Sequence, residues 1–91
     1  KVRIMHGENI MMMLVDIAPN ATVPTHTHEN EQAGRVLSGS FILIIDGKEH
    51  ILKEGDHYLI PSNVPHSAHG TKSSSLALDI FSPPREDYKK L

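Results

Sequence analysis

Apolar and polar residues alternate along this chain in short segments separated by turn residues. On a strand, successive side chains take opposite faces. Val2 to Met5 is a short apolar run suited to an edge strand, and His6-Gly7-Glu8-Asn9 has turn composition. Ile10 to Ile17 is apolar apart from Asp16. Its length and its Val and Ile content predict a strand buried on both faces, with a short buried helix as the alternative. Ala18-Pro19-Asn20-Ala21 is a turn, where Asn20 tolerates the left-handed conformation. Thr22 to His28 reads as a further strand that passes Pro24. Gln32 to Leu37 is another, closed by the tight turn Ser38-Gly39-Ser40.

Phe41 to Ile45 is strongly β and apolar on both faces. Asp46-Gly47 then gives the pair that a type I′ hairpin turn demands. Lys48 to Leu52 returns with charged and apolar residues alternating, as a half-exposed edge strand does. Lys53-Glu54-Gly55-Asp56 is a second turn, and His57 to Ile60 a strand ended by Pro61 to Pro65. His66 to His69 is short and extended, Gly70 to Ser74 a polar loop, and Ser75 to Phe81 a strand that Pro83-Pro84 terminates. In that last strand Ser75, Ala77, Asp79 and Phe81 share one face, while Leu76, Leu78 and Ile80 share the other. Arg85 to Leu91 is a charged tail with room for one loose helical turn. The pattern predicts one all-β domain over residues 1–91, a sandwich or barrel.

Composition narrows the function classes. With 91 residues the chain is near the lower end of what buries its own core. A formal net charge of −2 gives no footprint for nucleic acid or an anionic membrane. There is no cysteine, which removes disulfides, thiolate metal sites and a cysteine nucleophile, and leaves the compartment open on redox grounds. No apolar run approaches the ~20 residues that span a bilayer, and no signal peptide is visible, so a cytoplasmic protein is expected. The chain begins at Lys1, directly in strand-like sequence, and further N-terminal residues are expected. Aromatic residues are few, so the core rests on Ile, Leu, Val and Met. Met11-Met12-Met13 is read as adaptable core filling, because no second Met cluster exists to complete a metal site.

The candidate chemistry lies in Thr25-His26-Thr27-His28-Glu29-Asn30-Glu31-Gln32. On a strand His26 and His28 project to one side. If the strand runs on, Asn30 and Gln32 share that side, and Glu29 and Glu31 face away. Two imidazoles with a carboxamide or carboxylate suit a borderline divalent metal. Taken alone, a His-x-His pair is more often a polar surface strand; a third histidine, His66, in a second patterned stretch strengthens the metal reading. Seven histidines is a high count for this length, and His6, His50, His57 and His69 are read as structural or exposed.

These stretches resemble the two motifs of the cupin superfamily, small jelly-roll barrels of the double-stranded β-helix type. The first motif is Gly-x5-His-x-His-x3/4-Glu-x6-Gly, and Asn20, His26, His28, Gln32 and Gly39 stand in its register. The second is Gly-x5-Pro-x-Gly-x2-His-x3-Asn. Gly55, Pro61 and His66 fit it, with Asn63 at the second Gly and Gly70 at the Asn. Fifteen residues, Ser40 to Glu54, separate the motifs, as in compact cupins. Gln32 departs from the motif's Glu. Gln keeps a coordinating carbonyl oxygen but no charge, which implies a stronger Lewis acid that holds its metal less tightly. Glu31 is the rival ligand and needs a bulge to turn inward.

A narrower resemblance is to the small cupins of pectin and alginate breakdown. It is carried by Asn30-Glu31-Gln32 with Val36-Leu37-Ser38-Gly39, by Ile60 to Ser67, and by Leu78 to Tyr88. That family converts 4,5-unsaturated monouronates to linear or ketonised sugar acids. The resemblance implies a divalent ion (Ni, Mn, Fe, Zn or Co) on His26, His28, Gln32 and His66. It also implies Asp79 and Arg85 as catalytic residues, with Phe81 and Arg85 binding a sugar acid. The plainer readings are a surface carboxylate for Asp79, ordinary core for Phe81 and a solvated tail charge for Arg85. A metal-dependent dioxygenase, a sugar- or metal-binding module without chemistry, and a barrel with vestigial histidines are the alternatives. The apolar stripe Leu76, Leu78 and Ile80, expected to face outward, predicts a symmetric homodimer.

Overall fold

The computed structural model describes residues 2–89. Strands β1 (Val2–His6), β2 (Met11–Ile17), β3 (Thr22–His26), β4 (Glu31–Ser38) and β5 (Ser40–Ile45) are followed by β6 (Lys48–Lys53), β7 (His57–Ile60), β8 (His66–Gly70) and β9 (Ser75–Ser82). They form two antiparallel sheets, one in the order β1-β2-β9-β4-β7 and the other β3-β8-β5-β6. Between the sheets lies a cluster of Val36, Phe41, Leu43, Leu52, Ile60 and Ala77, and a second of Met11, Met13 and Phe81. Residues 86–89 of the charged tail form consecutive turns, with Tyr88 N–H donating to Arg85 O at 3.1 Å, and residues 90–91 of the expected tail lie outside the described residues.

Local turn chemistry sets the connections. Asp46 and Gly47 both take positive φ, at 50° and 77°, as a type I′ hairpin requires. Asn20 and Asn63, which stand where the cupin motifs have glycine, have φ of 60° and 63°. Asparagine is one of the few residues that occupies this region readily, so both departures keep the backbone the motif needs. Strand β6 is an edge strand in which only Leu52 is buried. The face assignment of β9 holds: Ser75, Ala77, Asp79 and Phe81 are buried, and Leu76, Leu78 and Ile80 are half-buried. Strands β1 and β2 extend the sheet beside that stripe and do not lie over it.

Two expectations need correction. The segment Ile10 to Ile17 is not buried on both faces. Met11 and Met13 are 0% and 4% exposed, but Met12 is 38% exposed and Ile10 precedes the strand. The reason is architectural, since β2 has the second sheet on one side only. Nor does the strand begun at Thr22 reach His28. It ends at His26, and residues 27–30 carry the chain from the four-stranded sheet to the five-stranded one. The Asn30 side chain donates to Pro83 O at 2.6 Å and ties this crossing to the end of β9.

One-sided burial of β2 has a direct test. Met13→Ala should cost about 2–5 kcal/mol of unfolding free energy, and Met12→Ala about 0.5 kcal/mol or less. Urea denaturation of both variants measures the contrast.

Candidate metal centre

The donors come from different elements. His26, at the end of β3, lies opposite His66 at the start of β8 in the strand register. His28 sits in the crossing segment, and Gln32, on β4, lies opposite Phe81 of β9. One ring nitrogen from each of His26, His28 and His66 falls within 4.8 Å of the others. Ring centroids are separated by 5.6, 4.2 and 4.8 Å for the pairs 26–28, 26–66 and 28–66.

Backbone carbonyls decide which nitrogen each ring offers. Nδ1 of His26 lies 2.9 Å from Pro24 O, that of His28 2.9 Å from Asn30 O, and that of His66 2.9 Å from Val64 O. A carbonyl only accepts, so each Nδ1 carries the proton and each Nε2 keeps a free lone pair. His28 Nε2 then faces Gln32 Oε1 at 3.2 Å. Two lone pairs at that distance repel unless a cation draws both. Donors about 2.0–2.2 Å from one ion are naturally about 3 Å apart. This donor set therefore fits a divalent cation with nitrogen and oxygen ligands.

Behind Gln32 lies Asp79, only 8% exposed. Its carboxylate accepts a hydrogen bond from Tyr58 Oη at 2.5 Å and one from the Gln32 side chain. Burial pushes the Asp79 carboxyl above the ordinary carboxylate range, against the pull of these two donors. Burial, together with the Asp79 charge, pushes the Tyr58 hydroxyl up as well, so it remains a donor. On the other side, the Arg85 guanidinium lies 5.4 Å from the Phe81 ring centroid and 4.3 Å from that of Tyr88. It also pairs with Asp87 at 2.9 Å. Gln32, Tyr58, Asp79, Phe81, Arg85 and His66 all line one cavity of about 130 Å³.

Six of the seven residues singled out by the resemblance thus line this cavity, and the seventh, His28, packs against Phe81 and faces Gln32. Glu31 is exposed and points elsewhere, and Asn30 is engaged with Pro83. His57 is exposed and receives Arg35 Nη1–H at 3.0 Å. Among the described residues, His6, His50 and His69 join no cluster suited to a metal. Sequence reasoning missed Tyr58, Gly34 and Tyr88. Tyr58 stands two residues before the buried Ile60 and so on its face, but its contact with Asp79 depends on strand order, which period 2 does not supply.

The cupin domain family matches residues 13–81. The chain belongs to the cupin family. This cupin is 35% identical over 83 residues to the pectin degradation protein KdgF of Dickeya dadantii, covering 90% of this chain and 76% of the relative. The structure of KdgF from Halomonas sp. superposes with a TM-score of 0.89 at 32% identity, over 94% of this chain and 80% of that one. Quercetin 2,3-dioxygenase of Bacillus subtilis is 32% identical over 62 residues, which is 67% of this chain and 18% of that enzyme. The fold is therefore the cupin jelly roll expected from the motifs, and no helix among the described residues is long and apolar enough to cross a membrane.

Protonation should be visible in stability. Burial chiefly, helped by the charge of Arg85, holds His28 and His66 below the ordinary 6.5. As pH falls through 6.5, the unfolded chain takes up protons first, and stability declines until the lower folded values are passed. Asp79 acts in the opposite sense, because its folded carboxyl holds a proton more tightly than its unfolded one. Between about pH 8 and pH 5, acidification should cost metal-free wild-type protein more thermal stability than it costs His66→Gln, which removes one imidazole and leaves Asp79 in place; thermal melts of both measure the difference.

Proposed function

We propose that this cupin is a redox-neutral, metal-dependent enzyme that converts 4,5-unsaturated monouronates to linear, ketonised sugar acids. The observation that carries this reading is the meeting of a buried carboxylate, Asp79, and a guanidinium, Arg85, on one cavity with His26 and His66, beside which His28 completes a cluster of three imidazoles. The relatives named KdgF, one described as a pectin degradation protein, support the same substrate class.

Each residue has a task in this scheme. Arg85 holds the substrate carboxylate, for which its planar fork is suited. Its pairing with Asp87 uses one edge of a group that has five N–H donors. Phe81, packed edge-on against His28 with centroids 5.7 Å apart, forms an apolar wall that excludes water. Asp79 takes the proton of a substrate hydroxyl as that oxygen becomes a carbonyl; the ring C–O bond on the same carbon breaks to leave an enolate across the former double bond, and the proton is returned to the far carbon of that enolate. Its burial raises its affinity for that proton, the direction a general base near neutral pH needs. A divalent ion on His26, His28, Gln32 and His66 would supply Lewis acidity toward the substrate oxygen where negative charge develops. The proton moves from oxygen to carbon, so no oxidant is consumed.

A homodimer follows from the outer face of the five-stranded sheet. Met12, paired with Ile80, and Leu14, paired with Leu78, continue the apolar stripe of β9 across the neighbouring strand. A second copy of this chain is the proposed cover. Sedimentation at micromolar concentration should give a dimer, and Leu78→Asp should give a monomer; a monomeric parent protein would remove this assembly.

The reaction is tested by incubating metal-loaded protein with 4,5-unsaturated monouronates and following loss of the double-bond absorbance. Turnover should occur without oxygen uptake and stop when the metal is stripped. At saturating metal, Asp79→Asn should lower turnover by roughly 10²–10⁴-fold, and Arg85→Ala should chiefly raise KM. The match to quercetin 2,3-dioxygenase supports the rival reading, which wins if activity needs Fe(II) and consumes oxygen. Ligand binding without any turnover would make the protein a binding module.

A further inference from the structure

Three neighbouring strands place Tyr58, Gly34 and Asp79 in one row. Gly34 of β4 pairs with Tyr58 of β7 on one side and with Asp79 of β9 on the other. The missing side chain at Gly34 is what lets Tyr58 lie across the row. A Cβ built there would fall 2.1 Å from the ring carbon that bears the hydroxyl. Through this slot the Tyr58 hydroxyl reaches Asp79 Oδ1 at 2.5 Å. Gln32, paired with Phe81 one step along the same face, lines the same cavity as Asp79 with its side chain beside the carboxylate, and of its two ends only the NH2 group can donate to it. The carbonyl end of the amide is thereby turned away from Asp79, and it lies 3.2 Å from His28 Nε2.

We propose that Tyr58 is a positioning residue: through Asp79 it fixes the Gln32 amide so that the carbonyl oxygen, and not the NH2 group, faces His26, His28 and His66. The inference rests on the metal reading of the same site. A carboxylate accepts hydrogen bonds and donates none. Asp79 with Tyr58 on one oxygen therefore calls for a donor from residue 32, and glutamate has none to give. This accounts for glutamine at a position where the cupin motif has glutamate. Partners that orient ligands in this way commonly contribute about 10–100-fold in metal affinity.

The test is Co(II) binding by wild-type protein and by Tyr58→Phe, which keeps the ring beside Gly34 and Phe41 and removes only the hydroxyl. Tyr58→Phe should bind Co(II) about 10–100-fold more weakly, and its visible ligand-field spectrum should change. A change in thermal stability with unaltered Co(II) affinity and spectrum would mean that Tyr58 only packs, and would overturn the proposal. If wild-type protein binds no Co(II), the metal reading itself fails and this inference with it. A measurement on the wild type keeps the question decidable if the variant does not fold. With Zn(II) bound, the Gln32 side-chain NH2 protons should exchange slowly with solvent by NMR; rapid exchange would also overturn the proposal.

Discussion

A carboxylate removed from water is costly unless its oxygens are hydrogen-bonded. Asp79 sits in that position on β9, between β2 and β4 of the five-stranded sheet. Much of the neighbouring arrangement serves it. Gly34 leaves space, Tyr58 fills that space and donates a hydrogen bond, and Gln32 donates another. One buried carboxyl group thus engages two side chains, Tyr58 on β7 and Gln32 on β4.

The histidines are satisfied by a different device. Each gives its Nδ1 proton to a main-chain carbonyl two residues away, Pro24 and Val64 behind and Asn30 ahead. Because the acceptors are local, each ring is oriented by its own segment. The sheets then need only bring the segments together. The four-stranded sheet contributes His26 and His66 on paired strands, and the five-stranded sheet contributes Gln32, Asp79 and Phe81. The crossing through residues 27–30 joins the two and holds His28 between them. Its anchors are Asn30 to Pro83 O and Asn63 N–H to His28 O at 2.8 Å.

The C-terminal turn closes the arrangement. Tyr88 and Asp87 hold the Arg85 guanidinium, so a charge that sequence alone would assign to a solvated tail has a side chain only 13% exposed. Burial chiefly, with the charges of Arg85 and the neighbouring histidines, disfavours protonation of His28 and His66 and so favours the neutral imidazoles that a cation needs.

The sequence by itself determined what depends on near neighbours. Period 2 assigned the faces of β9, Asp46-Gly47 announced its hairpin, and the spacing of His26, His28 and His66 within two motifs pointed to the cluster the three imidazoles form. Asn20 and Asn63 were legible as substitutes for glycine because left-handed backbone is a property of a single residue. What the sequence left open depends on which strands lie side by side. The one-sided burial of β2, the end of β3 at His26 before His28, the place of Tyr88 over Arg85 and the row from Tyr58 through Gly34 to Asp79 all required the fold. Alternation is encoded locally, every other residue. Strand order and the facing of two sheets arise only when distant segments pack, and it is there that a glycine in mid-strand becomes a slot and a tyrosine finds its carboxylate.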